Sequence, residues 1–242
     1  NSPLFSRRSP SLDQIAFKWD SIPHFNFEYY LIQLDNRRYD ELTFNRWLYA
    51  RRIGIMVTQK IEFGFKDAVL ATGVKRGVNL NYLNPGSIFQ LEQLHGNTGA
   101  LDGNPTTNND NQLIGFDCHI SIRDSMGLYF DLLIDEFQVD REDRKYFQDI
   151  FAFTIGLMIR ANSNNYFVEY FYSSPWMYLN GGVFTNYEVQ NHPLGLPGPL
   201  THGISFSWDG EVDIYKASIL ITLSQNDHQN FYTDYEPAYN HI

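Results

Sequence analysis

Four acids crowd one short stretch, GLYFDLLIDEFQVD at residues 127–140: Asp131, Asp135, Glu136 and Asp140. Paired carboxylates held at a defined separation across a sugar are the machinery of glycoside hydrolysis. One strand cannot supply that partner, so the plain reading is of solvated carboxylates on a polar face. The oxygen-rich runs NNDNQ (108–112) and DREDR (140–144) lack the D-x-[DN]-x-[DN]-G pattern that wraps calcium, and read as surface loops. Seven histidines are scattered, and His119 is the one set inside a clear strand. There is no G-x-S-x-G elbow, phosphate loop, H-E-x-x-H or zinc-spaced Cys and His set. The expectation is a protein that is not an enzyme, with no cofactor and no metal. YSSPWMY (172–178) gathers Tyr172, Trp176 and Tyr178 around a proline, as a sugar-stacking platform or as an aromatic girdle at a membrane interface.

The elements that must position these groups are strands. With a period of two, Leu128, Phe130, Leu132 and Ile134 share one face while Tyr129, Asp131, Leu133 and Asp135 share the other. The same alternation runs through FNFEYYLIQL (25–34), RIGIMVTQK (52–60) and IEFGFKDAVL (61–70). QLIGFDCHISIR (112–123) sets Ile114, Phe116, Cys118, Ile120 and Ile122 against Asp117, His119 and Arg123. DIFAFTIGLMIR (149–160) does likewise, with Phe151, Phe153, Ile155, Leu157 and Ile159 opposite Thr154, Gly156 and Arg160. YFVEYFYS (166–173) carries Glu169, and GISFSWDG (203–210) turns at Asp209 and Gly210 into VDIYKASILITLS (212–224). About ten strands of roughly 8–13 residues are long for a soluble domain and suit tilted barrel strands. Short turns alternate with two long loops, 94–112 and 181–203, and NPGSIFQLEQL (84–94) reads as a short helix capped near Asn84.

Composition narrows the class further. With 28 acids against 18 bases, the formal charge of −10 excludes a nucleic-acid binder, which needs clustered Lys and Arg. Aromatic residues make up 16% of the chain, a share that suits membrane interfaces and sugar-stacking surfaces. The single cysteine, Cys118, cannot close an intramolecular disulfide. No apolar run approaches the eighteen or so residues of a spanning helix, a test that says nothing against strands. The opening NSPLFSRRSP has no charged n-region or apolar h-region and is expected to be a processed or truncated product.

The succession NRWLYARRIGI, FGFKDAVLATG, LNYLNPGSIFQLEQ, NNDNQLIGFDCHISI and LYFDLLIDEFQVD resembles the capsule assembly protein Wzi family of Gram-negative, Bacteroidota-like bacteria, over roughly residues 45–225. Its most specific pieces are YLNP (82–85) with Glu92 and Gln93, and LLIDEFQ (132–138). The resemblance implies an all-β, antiparallel transmembrane β-barrel of outer-membrane type, present here as a C-terminal portion or a short relative. One barrel domain then spans 1–242, strand-rich from about 10 to 225 with a tail at 226–242. The implied function is non-enzymatic binding or anchoring of surface polysaccharide. The alternatives are an accessory barrel subunit of a larger envelope complex and a secreted β-sandwich lectin or glycosidase. Expected partners are surface polysaccharide or other envelope proteins, and outer-membrane lipid. Asp131, Asp135, Arg123, Arg160 and Glu169 are then expected to line a hydrated lumen, with at least one Asp paired to Arg123 or Arg160. Tyr172, Trp176 and Tyr178 are expected to stack on sugar or to form the girdle.

Overall fold

The computed structural model describes residues 13–39, 41–84, 86–87, 89, 109–136, 149–178, 186–190, 192–196, 200–212 and 215–226. The strands are β1 (Asp13–Ile22), β2 (Phe25–Gln33), β3 (Arg37–Tyr39), β4 (Leu42–Thr58), β5 (Ile61–Val74), β6 (Asn109–Arg123) and β7 (Met126–Glu136). They continue as β8 (Ile150–Ala161), β9 (Asn164–Ser173), β10 (Glu188–Val189), β11 (His192–Pro193), β12 (Thr201–Val212) and β13 (Tyr215–Asn226), and one short helix, α1 (Leu80–Leu83), follows β5. Ten strands form one antiparallel sheet in the order β1-β2-β4-β5-β6-β7-β8-β9-β12-β13, with β3 paired to the start of β4. Along this path chain neighbours are sheet neighbours, except that β3 intervenes between β2 and β4 and a separate β10–β11 pair between β9 and β12. Among the described residues β1 and β13 are edges and the ring is not closed. No described helix is long and apolar enough to cross a membrane.

Alternation fixes the two faces. In the ladder, Arg52, Lys66, Asp117, Asp131 and Glu169 fall on one side, and Ile53, Phe65, Phe116, Phe130, Ile155 and Val168 on the other. The second side is outward: Ile55, Phe63, Phe116, Ile155, Val168, Ile204 and Ile221 are each about half exposed. The first side is inward, and its loop-end half packs Leu48, Ala50, Ala68, Leu70, Leu113, Leu133, Ala152 and Phe171 into the main core. The hairpin turns all lie at one end of the wall and the long connections at the other.

The connection between β9 and β12 fills the loop end. Met177, Tyr178, Tyr187, Leu194 and Leu196 are buried against the inward residues just named. The Tyr187 hydroxyl accepts from the Leu70 amide at 3.2 Å and donates to the Asn111 carbonyl, while Tyr178 accepts from the Leu196 amide at 3.1 Å. Arg46, wholly buried, donates to Asp35 at 2.8 Å and to the carbonyls of Glu188, at 2.9 Å, and Asn186. Holding this plug in shape requires left-handed backbone at Trp176, Tyr178, Gln190 and Leu200, conformations that non-glycine residues keep only when packing enforces them.

Several element boundaries differ from the sequence reading. Asp209 and Gly210 are not a turn but ladder residues opposite Ser218 and Ala217. Gly210 is there because a Cβ would collide with Asn164 and the Trp208 ring. The wall begins at Asn109 and at Thr201, so 109–112 and 201–203 belong to strands, not loops, while 94–108 lies outside the described residues. Asn84, expected to start a helix, ends one. Its side chain also accepts from the Gly86 amide at 3.0 Å, the contact an N-cap makes to the second residue of a following helix, and Phe89 is helical, while 85, 88 and 90–94 lie outside the described residues. β4 runs ten residues further toward the N-terminus than the alternating segment at 52–60 indicated. The tail beyond 226 and Asp140 lie outside the described residues.

Candidate functional site

The turn-end half of the inward face carries charge instead of aliphatic side chains. Arg52 on β4 donates through Nε and Nη2 to the two carboxylate oxygens of Asp117 on β6, at 2.8 and 2.6 Å. The same guanidinium reaches Glu62 at 2.6 Å and Asn26 at 2.7 Å, and Asn26 in turn donates to Glu62 at 3.1 Å. Lys66 on β5 lies 3.2 Å from Asp117 and pairs with Asp131 on β7. Further round, Tyr129 on β7 and Ser205 on β12 both donate to Glu169 on β9, the latter at 2.8 Å. Asp117, Asp131 and Glu169 are buried, and burying charge at this depth is tolerable only because each is paired or hydrogen-bonded.

The Arg52–Asp117, Lys66–Asp131 and Tyr129–Glu169 bridges each skip a strand, and a glycine makes room beneath each. Arg52 meets Asp117 above Gly64, where a Cβ would collide with the Asp117 carboxylate. Lys66 reaches Asp131 above Gly115, where a Cβ would come within 2.9 Å of the Leu132 carbonyl and 3.2 Å of the Lys66 Cβ. Tyr129 crosses Gly156, where a Cβ would strike its ring. Side chains thus lie flat along the wall and leave open space over it. That space is a cavity of about 400 Å³ whose walls include Arg52, Lys66, Asp117, Asp131, Tyr129 and Glu169. Its size falls in the range of small-ligand sites, which combine apolar surface with a few placed polar groups. Phe167 and Met158 supply apolar lining, and His119 stacks on Tyr129 with ring centroids 6.1 Å apart.

The residues singled out from sequence are distributed unevenly over this geometry. Asp131 and Glu169 are in the cavity wall. The base paired with Asp131 is Lys66, and neither Arg123 nor Arg160 takes that part: both stand exposed at the turns, Arg160 donating to Asn165 at 3.3 Å. Asp131 lies five positions along β7 from Met126, the residue opposite Arg123, or about 17 Å at strand rise. Asp135 sits toward the plug, near enough to Tyr178 and Tyr187 to add to the burial that pushes both phenols up. Tyr178 is enclosed in the core and Trp176 packs against it, so Tyr178 is not displayed to a ligand. Tyr172 faces outward among Phe151 and Phe153, with centroids 5.6 and 5.7 Å away. Arg52, Lys66, Asp117 and Tyr129 were missed as site residues. The alternation does place each on a polar face, but only the register between strands makes them partners. No group of three or more residues disposed to hold a metal ion occurs among the described residues.

Fold and site together define a class: an antiparallel β-barrel-type wall, apolar outside and charged within, unclosed among the described residues. No family model matches the chain. No curated protein matches it. A solved structure it is similar to is Wzi from Escherichia coli, described as an outer-membrane protein involved in group 1 capsule assembly and as a carbohydrate-binding β-barrel. The two share 14% identity with a TM-score of 0.48, over 85% of this chain and 54% of that one. The chain therefore spans about half the length of that protein.

Proposed function

We propose that this chain forms the wall of an outer-membrane β-barrel in a Gram-negative bacterium, and that its inward cavity binds or anchors a surface polysaccharide without cleaving it. The observation that carries the reading is the opposition of the two faces. Large apolar side chains stand exposed on strand after strand of the outward face, the kind of surface that marks an interaction or membrane site. Behind them the charges point inward, the arrangement that hydrocarbon outside and water inside select. Strands β2 and β4 to β9 run 9–17 residues, enough to span a bilayer when tilted.

Within the cavity, Glu169 and the Asp131 carboxylate offer acceptors to sugar hydroxyls, and Tyr129 and Phe167 offer ring surface for the apolar faces of a sugar. Hydrolysis is disfavoured by the same geometry. Asp117 and Asp131 share the single ammonium of Lys66 on one wall, whereas glycoside cleavage needs an acid and a base on opposite sides of the bond. Tyr172, outward among aromatic rings near the loop end, suits the girdle. The second reading, an accessory barrel subunit in an envelope complex, draws on a different observation: β1 is exposed along its whole length and is an edge among the described residues.

The test uses detergent-purified protein and calorimetric titration with capsular polysaccharide fragments. Asp131→Asn with Glu169→Gln should weaken binding by about tenfold or more, the loss of two charge-assisted hydrogen bonds, and should lower the melting temperature as well, because Asp131 is also the partner of Lys66. A protein that stays monodisperse without detergent sinks the membrane part of the reading. Absence of glycan binding together with co-purification of a stoichiometric protein partner favours the subunit reading instead.

A further inference from the structure

The outward face is not uniform, and its exception lies over β2, β4 and β5. There Phe27, Tyr29, Leu31, Tyr49, Val69 and Ala71 are buried, although their neighbours along the same strands are exposed. What covers them is the segment after β5. Tyr82 packs on Tyr49 and Phe89, its carbonyl accepts from the Tyr29 hydroxyl at 2.9 Å, and the Asn79 amide donates to the Tyr49 hydroxyl at 2.6 Å. Beneath it lie charges that hydrocarbon could not accept. Arg51 donates to Asp67 at 2.7 Å and to the Ser87 carbonyl at 2.6 Å, its guanidinium 4.2 Å from the centre of the Phe89 ring. Gln112 donates to Asp67 at 2.7 Å, and Asp110 takes hydrogen bonds from Tyr82 at 2.7 Å and from Arg76.

The apolar band is shortened by this flap. On β8 it runs Phe151, Phe153, Ile155, Leu157 and Ile159; on β4 only Ile53, Ile55 and Val57 remain below Arg51. Asp67 and Phe151 nevertheless stand in one ladder row, through Ile114 and Ile134. Three strand spacings of about 4.8 Å, in strands tilted by about 40°, separate the two in depth by about 9 Å. A row that is in hydrocarbon at β8 can therefore have left it at β5. Ile53 and Leu83 pack against the flap's own cluster, so its lower margin is continuous with the exposed band.

We infer that residues 75–83 are an interfacial anchor resting on the lipid headgroups at the loop end of the wall. Leu80, three-quarters exposed, and Val78 project from a segment whose other side is fixed to the barrel. Lys75, exposed at the start of the segment, supplies an ammonium to a headgroup phosphate. Apolar side chains with a lysine on the loop-end side of them have the order of the interfacial zone, where apolar groups enter the acyl boundary and cations stay at the phosphates.

The inference rests on the membrane reading, and the experiment separates the two. In a Cys118→Ser background, Leu80→Cys, Ile155→Cys and Ser125→Cys are spin-labelled and the protein is reconstituted in vesicles of phosphatidylethanolamine and phosphatidylglycerol. Collisions with oxygen, concentrated in lipid, and with a water-soluble nickel chelate give the depth of each label. The expected order is Ile155 deep, Leu80 at the headgroup boundary and Ser125 aqueous. Leu80 as aqueous as Ser125, with Ile155 still deep, overturns the anchor and leaves the barrel standing. If all three are aqueous, the membrane reading and the anchor fall together.

Discussion

The two halves of the inward face are built on the same strands and meet within a single step of the pleat, yet they do opposite things. Moving two residues turns Ala50 into Arg52, Ala68 into Lys66 and Leu133 into Asp131. On the loop-end side the small and aliphatic residues are closed over by Tyr178, Tyr187, Leu194 and Leu196. On the turn-end side the charges surround open space. The wall therefore does not decide which half is a core and which is a site. That is decided by whether another part of the chain folds over it.

Breaking the filled half should have the largest effect. Arg46→Ala removes the tether to Asp35, Asn186 and Glu188 from a fully enclosed position, at a cost of about 3–5 kcal/mol for one partner of a buried pair. Hydrogen exchange should rise at 186–196 while the strands around Asp117 stay protected. Uniform loss of protection in both halves would show that the plug is not a separate layer.

The outward face comes next. Ile155→Arg should destabilise by about 2–4 kcal/mol in lipid if it lies near the bilayer midplane, against less than about 1 kcal/mol for His119→Arg, whose inward ring is largely exposed. Equal costs in a refolding assay in lipid would contradict the two-faced wall.

In the open half, Gly156→Ala should displace Tyr129 from its path to Glu169 and cost about 1–3 kcal/mol, the usual price of overpacking. Glycan affinity should fall with it. An unchanged affinity in Gly156→Ala would remove Tyr129 from the site.

The smallest effect concerns Glu188, in the plug. Burial raises its carboxyl above the ordinary range, and Arg37, 3.2 Å away, only partly offsets this. The folded state then holds the proton more tightly than the unfolded one, so stability declines as pH rises from the ordinary carboxylate range through the raised value. Melting temperature against pH should show a shallower fall in Glu188→Gln; a slope that does not change would assign the titration elsewhere.

These comparisons mark the boundary between what was legible in the sequence and what was not. The antiparallel order follows from the short turns that join the strands, and the β class and the face of each residue from an alternation of period two, which is local to each strand. It put Asp131 and Glu169 inward and Phe151 to Ile159 outward before any pairing was known. The partners did not follow. Arg52 and Asp117 lie 65 residues apart and meet only because β4, β5 and β6 align in one register, with Gly64 leaving space between them. Arg123 and Arg160 had the right charge and the right parity, but sit at the wrong height on their strands. Nor could Tyr178 be told from a displayed aromatic, since its neighbours Leu194 and Leu196 come from the far side of the same connection. By itself, then, the sequence determined side-chain direction, because the pleat repeats every two residues whatever lies beyond it. The tertiary structure alone decided partner and cover, because both depend on how far each strand slides past the next and where a long connection finds apolar surface to bury.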